Sequence, residues 1–183
     1  MLINFTKNIT LSIVNVLDAK FILELRQEPS LSKHISFTKP DLEEQLNWIN
    51  LYKEREKKNI EYYFIINENR HPSLIKIGTV RIYNINNGIF TWGSWIIKKN
   101  AFYSAAIESA LAIYSFCFEN LKLKKSIFDV KKDNIIVINI HKKFGSKIIK
   151  EDETNLYFEY YYEDFINIKK KYKRFVNEQY LKD

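Results

Sequence analysis

The stretch that decides the fold is GIFTWGSWIIKKNAFYSAAIESALAIYSFCFENLKLKKSIFDVK, residues 88–131. GIFTWGSWII, at its start, is rich in aromatic and β-branched side chains and reads as a strand. AFYSAAIESALAIYSFCFENL is apolar over too long a run for a strand and reads as a buried helix. KSIFDVKK then reads as a second strand. In a sheet built around such a crossing, a ligand sits at the carboxyl ends of the strands beside a helix N-terminus, where backbone N–H groups lack partners.

Working outward, EYYFIIN and IKIGTVRIYNI precede the crossing as strands, and NNG joins the latter to GIFTWGSWII as a tight hairpin. Further back, ITLSIVNVL alternates like a strand, and DAKFILELRQ follows as a helix behind an Asp cap, broken at Pro29. DLEEQLNWINLYKEREKK begins behind Pro40 and Asp41 and places Leu42, Leu46, Ile49 and Tyr52 on one helical face. Beyond the crossing come a helix from the cap Asn134 to the stop Gly145, then strands SKIIKED and TNLYFEYYYEDF. The expected fold is α/β, a mixed and mostly antiparallel sheet flanked by helices, with its domain over residues 1–164. Residues 165–183 are expected to add a C-terminal helix with Phe165, Ile168, Tyr172, Phe175 and Gln179 on one stripe. That stripe is expected to pack on the domain or, in a homodimer, on a second subunit.

The chain has 183 residues, 46% of them hydrophobic and 15% aromatic, enough for one sizeable core. Cys117 is the only cysteine, so no intrachain disulfide forms, and its apolar setting reads as a buried hydrophobe in a reducing compartment. No segment approaches the roughly 20 apolar residues of a membrane span, and the N-terminus lacks a targeting pattern. The expectation is a cytoplasmic protein without a membrane partner. A net charge of +7 favours anionic partners, but no nucleic-acid motif accompanies it, and a phosphorylated small ligand suits it better.

The segments LELRQEP, DLEEQLNWINLYKEREKKNIEYYFII, IGTVRIYNI, FTWGSWII, AAIESAL, FDVKKDN and HKKFGS, in this order and spacing, resemble the GNAT superfamily of acetyl-CoA-dependent N-acetyltransferases. The likeness spans roughly residues 9 to 163 and is greatest to bacterial nucleotide-sugar N-acetyltransferases of surface-polysaccharide and nonulosonic-acid pathways. It implies a splayed sheet, acetyl-CoA as co-substrate and no metal. The family's helix pattern falls on Asn134, Val137, Ile140, His141, Lys143 and Gly145, with His141 where the family usually carries a tyrosine. By resemblance, that residue protonates the leaving thiolate, and Asn134 and Lys143 serve the cofactor. The pyrophosphate loop should follow at KKNAFYSAA, where Asn100, Tyr103 and Ala105 replace the usual Arg/Gln, Gly and Gly/Ala. Ile96, Ile97, Lys98, Tyr103, Ser104, Ala105 and Ala106 are the remaining expected cofactor contacts, with a backbone N–H near Ile96 directed at the thioester oxygen.

His141, with an ordinary pKa of about 6.5, suits proton delivery near neutrality. His34, in the loop expected to line the acceptor site, is the candidate base, and Glu61 a weaker one. Trp92 and Trp95 lie three apart, so on a regular strand they face opposite sides, leaving one to stack on a sugar ring or base. Arg26 and Arg81 are candidates for bidentate pairing with a nucleotide's phosphates, against ordinary salt bridges. Asp129 reads as structural. The reaction so implied is direct transfer of acetyl from acetyl-CoA to the amine of a nucleotide-linked amino sugar. Transfer to a protein N-terminus or another small amine, or a GNAT-fold module that binds without catalysis, are the competing readings.

Overall fold

The computed structural model describes residues 1–181. Its strands are β1 (Leu2–Ile3), β2 (Ile9–Ile13), β3 (Tyr62–Arg70), β4 (Ser73–Asn86), β5 (Ile89–Ile97), β6 (Lys125–Lys131), β7 (Lys147–Glu151) and β8 (Asn155–Tyr161). Its α-helices are α1 (Ala19–Gln27), the single turn α2 (Pro29–Ser32), α3 (Leu42–Lys57), α4 (Ala105–Ser115), α5 (Ile135–Phe144) and α6 (Tyr162–Lys171). Among the described residues, eight strands form one sheet in the order β1-β2-β3-β4-β5-β6-β8-β7. All neighbours are antiparallel except β5 and β6, which the α4 crossover makes parallel.

The expected hairpin is present: Asn86 pairs with Ile89, and Asn87 and Gly88 turn the chain with φ of 50° and 76°. α4 is buried at nine of its eleven residues, the outcome of an apolar helix laid across a sheet. With α5 and α6 it covers one face, packing Leu111, Tyr114, Phe144 and Phe165 against Phe64, Phe90 and Phe158. The opposite face carries α1 and α3, with Ile22, Ile49 and Tyr52 against Tyr63 and Ile65.

Three local expectations need correction. The first long strand ends at Ile13, because the Asn15 side chain accepts from Leu17 N–H while Asp18 accepts from Asn15 N–H, closing a helical turn. On α3 the inward stripe is Gln45, Ile49 and Tyr52 with Trp48 half-buried beside it, whereas Leu42 is exposed. The C-terminal helix stops at Lys171; the chain then doubles back so that Phe175 and Val176 are buried and Thr6 pairs with Val176. Phe165 and Ile168 join the main core, so the tail packs on its own domain.

What positions the site is the parting of β5 from β6. They pair only at Ile89 with Lys125 and Phe90 with Ser126, and then diverge, while β6 stays paired with β8 over its whole length. β5 carries a bulge: Thr79 pairs with Ile96 but Arg81 pairs with Gly93, so β5 holds one extra residue, and Ser94 takes up the strain at φ 47°. A bulge bends and twists its strand, which is what turns β5 away from its parallel neighbour.

Candidate active site

Past Phe90 the diverging strands bound a cleft of about 720 Å³. One wall is β5 from Trp92 to Ile97, the other is β6 from Phe128 to Lys131, and α5 contributes Val137, Ile140 and His141. The β5 wall offers backbone chemistry. Lys98 N–H donates to the Ile77 carbonyl at 2.8 Å, so alternation turns the Ile96 amide toward β4 as well. The N–H and C=O facing the parted edge are therefore those of Ile97, one residue beyond the position expected from sequence. β4 comes so close here that a Cβ on Gly78 would overlap the Ile96 carbonyl oxygen.

The same wall leads into the N-terminus of α4. Ala106 and Ile107 N–H have no backbone acceptor among the described residues, whereas Ala105 N–H donates to Phe102 and Glu108 N–H to Ser104. Ala106 lines the cleft and its small side chain leaves those amides accessible. These features fit the pyrophosphate and thioester ends of an acyl-CoA. The individual side chains are distributed differently from expectation. The Ser104 hydroxyl is buried and donates to Glu108, whose carboxylate also accepts from Asn8 N–H at 2.9 Å and the Asn8 amide at 2.8 Å. Ala105 is buried, and Tyr103 stands 78% exposed against Phe102. Lys98 lies with its ammonium 4.9 Å from the Phe21 ring, beside a second recess. Asn134 lines the cleft but its side-chain oxygen caps α5 at Val137 N–H; Lys143 is exposed and lies outside the cleft lining.

His141 is only 4% exposed, enclosed by Phe128, Trp92, Phe158 and Trp95 with ring centroids 4.2, 5.4, 5.8 and 6.4 Å away. α5 holds it there because Asn134 caps the helix start and Gly145, at φ 91°, ends it, with Ser146 N–H donating to the His141 carbonyl. Removal from water pushes its pKa down to about 3, so the ring is neutral at physiological pH. This corrects the expectation of an imidazolium acid: the residue offers a single N–H donor at the base of the cleft.

Trp92 and Trp95 do not face opposite sides. The extra residue at Ser94 restores them to one face, with centroids 5.1 Å apart and both against His141. Trp92 is core, and Trp95 is anchored by its indole N–H to Ser109 Oγ at 3.1 Å.

The opposite face of the sheet holds a recess of about 260 Å³ that meets the cleft at Ser36, Arg81 and Ser94. Its aromatic lining is Phe37, Trp48 and Tyr63; sequence reasoning passes over Trp48 although Gln45, Trp48, Ile49 and Tyr52 share helical spacing. Arg81 packs over Trp48 and Tyr83 at 5.1 and 5.0 Å and pairs with Glu61 at 2.5 Å. The other Glu61 oxygen pairs with Arg55 at 2.6 Å, so this buried carboxylate is engaged twice and is removed as a candidate base. Arg26 makes no salt bridge with Glu24 or Glu28; it donates to Thr38 and to Ser36, ordering the loop and leaving its charge in the recess without a carboxylate partner among the described residues. His34 lines the cleft mouth, with Nε2 3.2 Å from an Asp133 oxygen at an angle poor for a hydrogen bond. Among the described residues, no cluster of His, Cys, Asp and Glu is arranged to hold a metal ion, and no helix is long and apolar enough to cross a membrane.

Comparison with known proteins converges on this geometry. No curated protein sequence matches the chain. Among solved structures, apo FdhC, a nucleotide-linked sugar GNAT, is 38% identical, covers 94% of this chain and 97% of its own, and superposes with a TM-score of 0.86. A putative ribosomal-protein-serine acetyltransferase from Vibrio cholerae is 18% identical, with 88% and 99% of the two chains covered and a TM-score of 0.70. Ribosomal-protein-S5-alanine acetyltransferase from Vibrio fischeri is 13% identical, with 90% and 98% covered and a TM-score of 0.75; these last two share the fold. The family model described as "Acetyltransferase (GNAT) domain" matches residues 8–147, the span that contains the bulge, the parted strands and the α4 N-terminus, and the chain belongs to the GNAT acetyltransferases.

Proposed function

We propose that the protein transfers acetyl from acetyl-CoA to the amine of a nucleotide-linked amino sugar, by direct attack within a ternary complex in the cytoplasm. The observation that carries this reading is the 38% identity over nearly the whole chain to a nucleotide-linked sugar GNAT. The recess supports it, because Arg26 and Arg81 beside Trp48 combine two guanidinium groups with an aromatic face, the pairing that a nucleoside diphosphate requires.

Acetyl-CoA, when bound, supplies the activated acyl group. The chain positions the rest. Ala106 and Ile107 N–H at the start of α4 bind phosphate, and Ile97 N–H on the parted edge polarises a carbonyl oxygen in a site walled by Trp95 and His141. His141, neutral and held by its aromatic neighbours, donates one N–H toward a developing negative charge without carrying a positive charge of its own. Arg26 and Arg81 hold the acceptor's phosphates in the recess, so its amine enters the cleft at Ser94.

The test is an acceptor panel with acetyl-CoA, comprising UDP- and dTDP-linked amino hexoses, spermidine and an Ala-starting peptide, with thiol release and product mass as readouts. Turnover of at least one nucleotide-linked sugar with kcat/KM tenfold or more above spermidine and peptide is expected. Preference for spermidine or peptide overturns the substrate class.

A further inference from the structure

The cleft lining is mostly apolar and neutral-polar, with few charged side chains. Arg81, Lys131 and His34 face it, yet among the described residues Asp129 is the sole carboxylate in its lining. Asp129 is exposed and, among the described residues, pairs with no cation, in a chain of net charge +7. Its strand neighbours Phe128 and Val130 are buried on the α4 face, so alternation turns Asp129 to the recess side of the sheet, the side of Tyr83 and Arg81. Tyr83 feels it: the phenol is pushed up first by burial and next by the Asp129 charge. Tyr157, paired with Asp129 in register on β8, is held by Asp152 at 2.7 Å and leaves the Asp129 carboxylate to the cleft. Exposed and without a cation partner among the described residues, this carboxylate is free to accept a hydrogen bond from an N–H-bearing ligand in the cleft.

We propose that Asp129 is a catalytic residue that hydrogen-bonds the acceptor's amine and takes its proton as the carbon–nitrogen bond forms. The proposal rests on the reading that an amine enters the cleft at Ser94, whatever carries that amine. The nitrogen gives its lone pair to the acyl carbon, and the carbon–sulfur bond breaks. The nitrogen's proton passes to the Asp129 carboxylate and from there to water, and the sulfur takes a proton from solvent, so the products are the amide and CoA thiol. A carboxylate suffices as base because the nitrogen becomes strongly acidic once bonded to carbon. By the β5–β6 register Asp129 lies level with Gly93, beside Ser94 where the amine enters, and the Ile97 N–H lies further along the β5 wall of the same cleft.

The experiment uses the full chain, the best acceptor from the panel, and the variants D129N and D129A. D129N should lower kcat by about 10²–10⁴, the span of general base catalysis, with KM for acetyl-CoA within about threefold. Formate should restore part of the D129A rate saturably, while chloride should not, a rescue that a merely structural role would not show. D129N retaining a third or more of the wild-type kcat overturns the proposal, as does a D129A variant with unchanged melting temperature that formate fails to rescue. If only spermidine or peptide is turned over, the same variants are measured on that amine, and the sugar reading falls while Asp129 is still tested. No turnover of any amine by the wild type overturns both.

Discussion

His141→Phe is the most informative single change, because it separates burial from titration at the base of the cleft. In the unfolded chain the imidazole takes up a proton as pH falls through 6.5, whereas in the folded chain burial delays this to about 3. Between those values the unfolded state binds more protons, so stability is present in full above pH 6.5 and falls with decreasing pH, by about 1.4 kcal/mol per unit. From pH 7 to pH 5 the loss is about 2 kcal/mol, since most of the first half unit lies above the unfolded pKa. For a domain of this size that is about 4–8 °C in melting temperature. Phenylalanine keeps an aromatic ring among Trp92, Phe128 and Phe158 but cannot titrate. Thermal and urea unfolding at pH 7 and pH 5 should therefore show the wild type losing about 2 kcal/mol more than His141→Phe, whatever their difference at pH 7. Equal losses in the two proteins, or an imidazole resonance titrating near pH 6.5 in the folded wild type, would refute the account and restore an imidazolium to the cleft. On the same variants, His141→Tyr should retain more kcat than His141→Phe, because it keeps a donor at that position.

Gly78→Ala should push β4 from β5 at the Ile96 carbonyl, costing about 1–3 kcal/mol in urea unfolding and raising KM for acetyl-CoA through the displaced Ile97 amide. Arg26→Ala should raise KM for the nucleotide-linked acceptor by about 10- to 150-fold with KM for acetyl-CoA little changed, since a charge-assisted contact contributes about 1.5–3 kcal/mol. Truncation after Lys171 removes buried Phe175 and Val176, and should lower stability by about 3–5 kcal/mol while light scattering reports the same oligomeric state as the full chain.

The order of elements was legible because each rests on a few adjacent residues. Asn87-Gly88 turns the hairpin, Asn134 and Gly145 bracket α5, and the apolar run of α4 admits only a buried helix. The acetyltransferase family was legible for the same reason, through motifs carried in sequence order. What only the tertiary structure decided depends on contacts between residues far apart in the chain. Spacing placed Trp92 and Trp95 on opposite faces until one bulged residue at Ser94 returned them to the same one, since side-chain direction alternates and a single insertion reverses it. His141 looked like a proton donor poised near neutrality until rings from β5, β6 and β8 removed it from water. Glu61 and Asp129 are both single acids on strands in the sequence. The fold locks the first between Arg55 and Arg81 and leaves the second exposed in the cleft without a cation partner among the described residues, because a carboxylate's chemistry is set by the charges and solvent that packing brings to it, and those are not written in its neighbours along the chain.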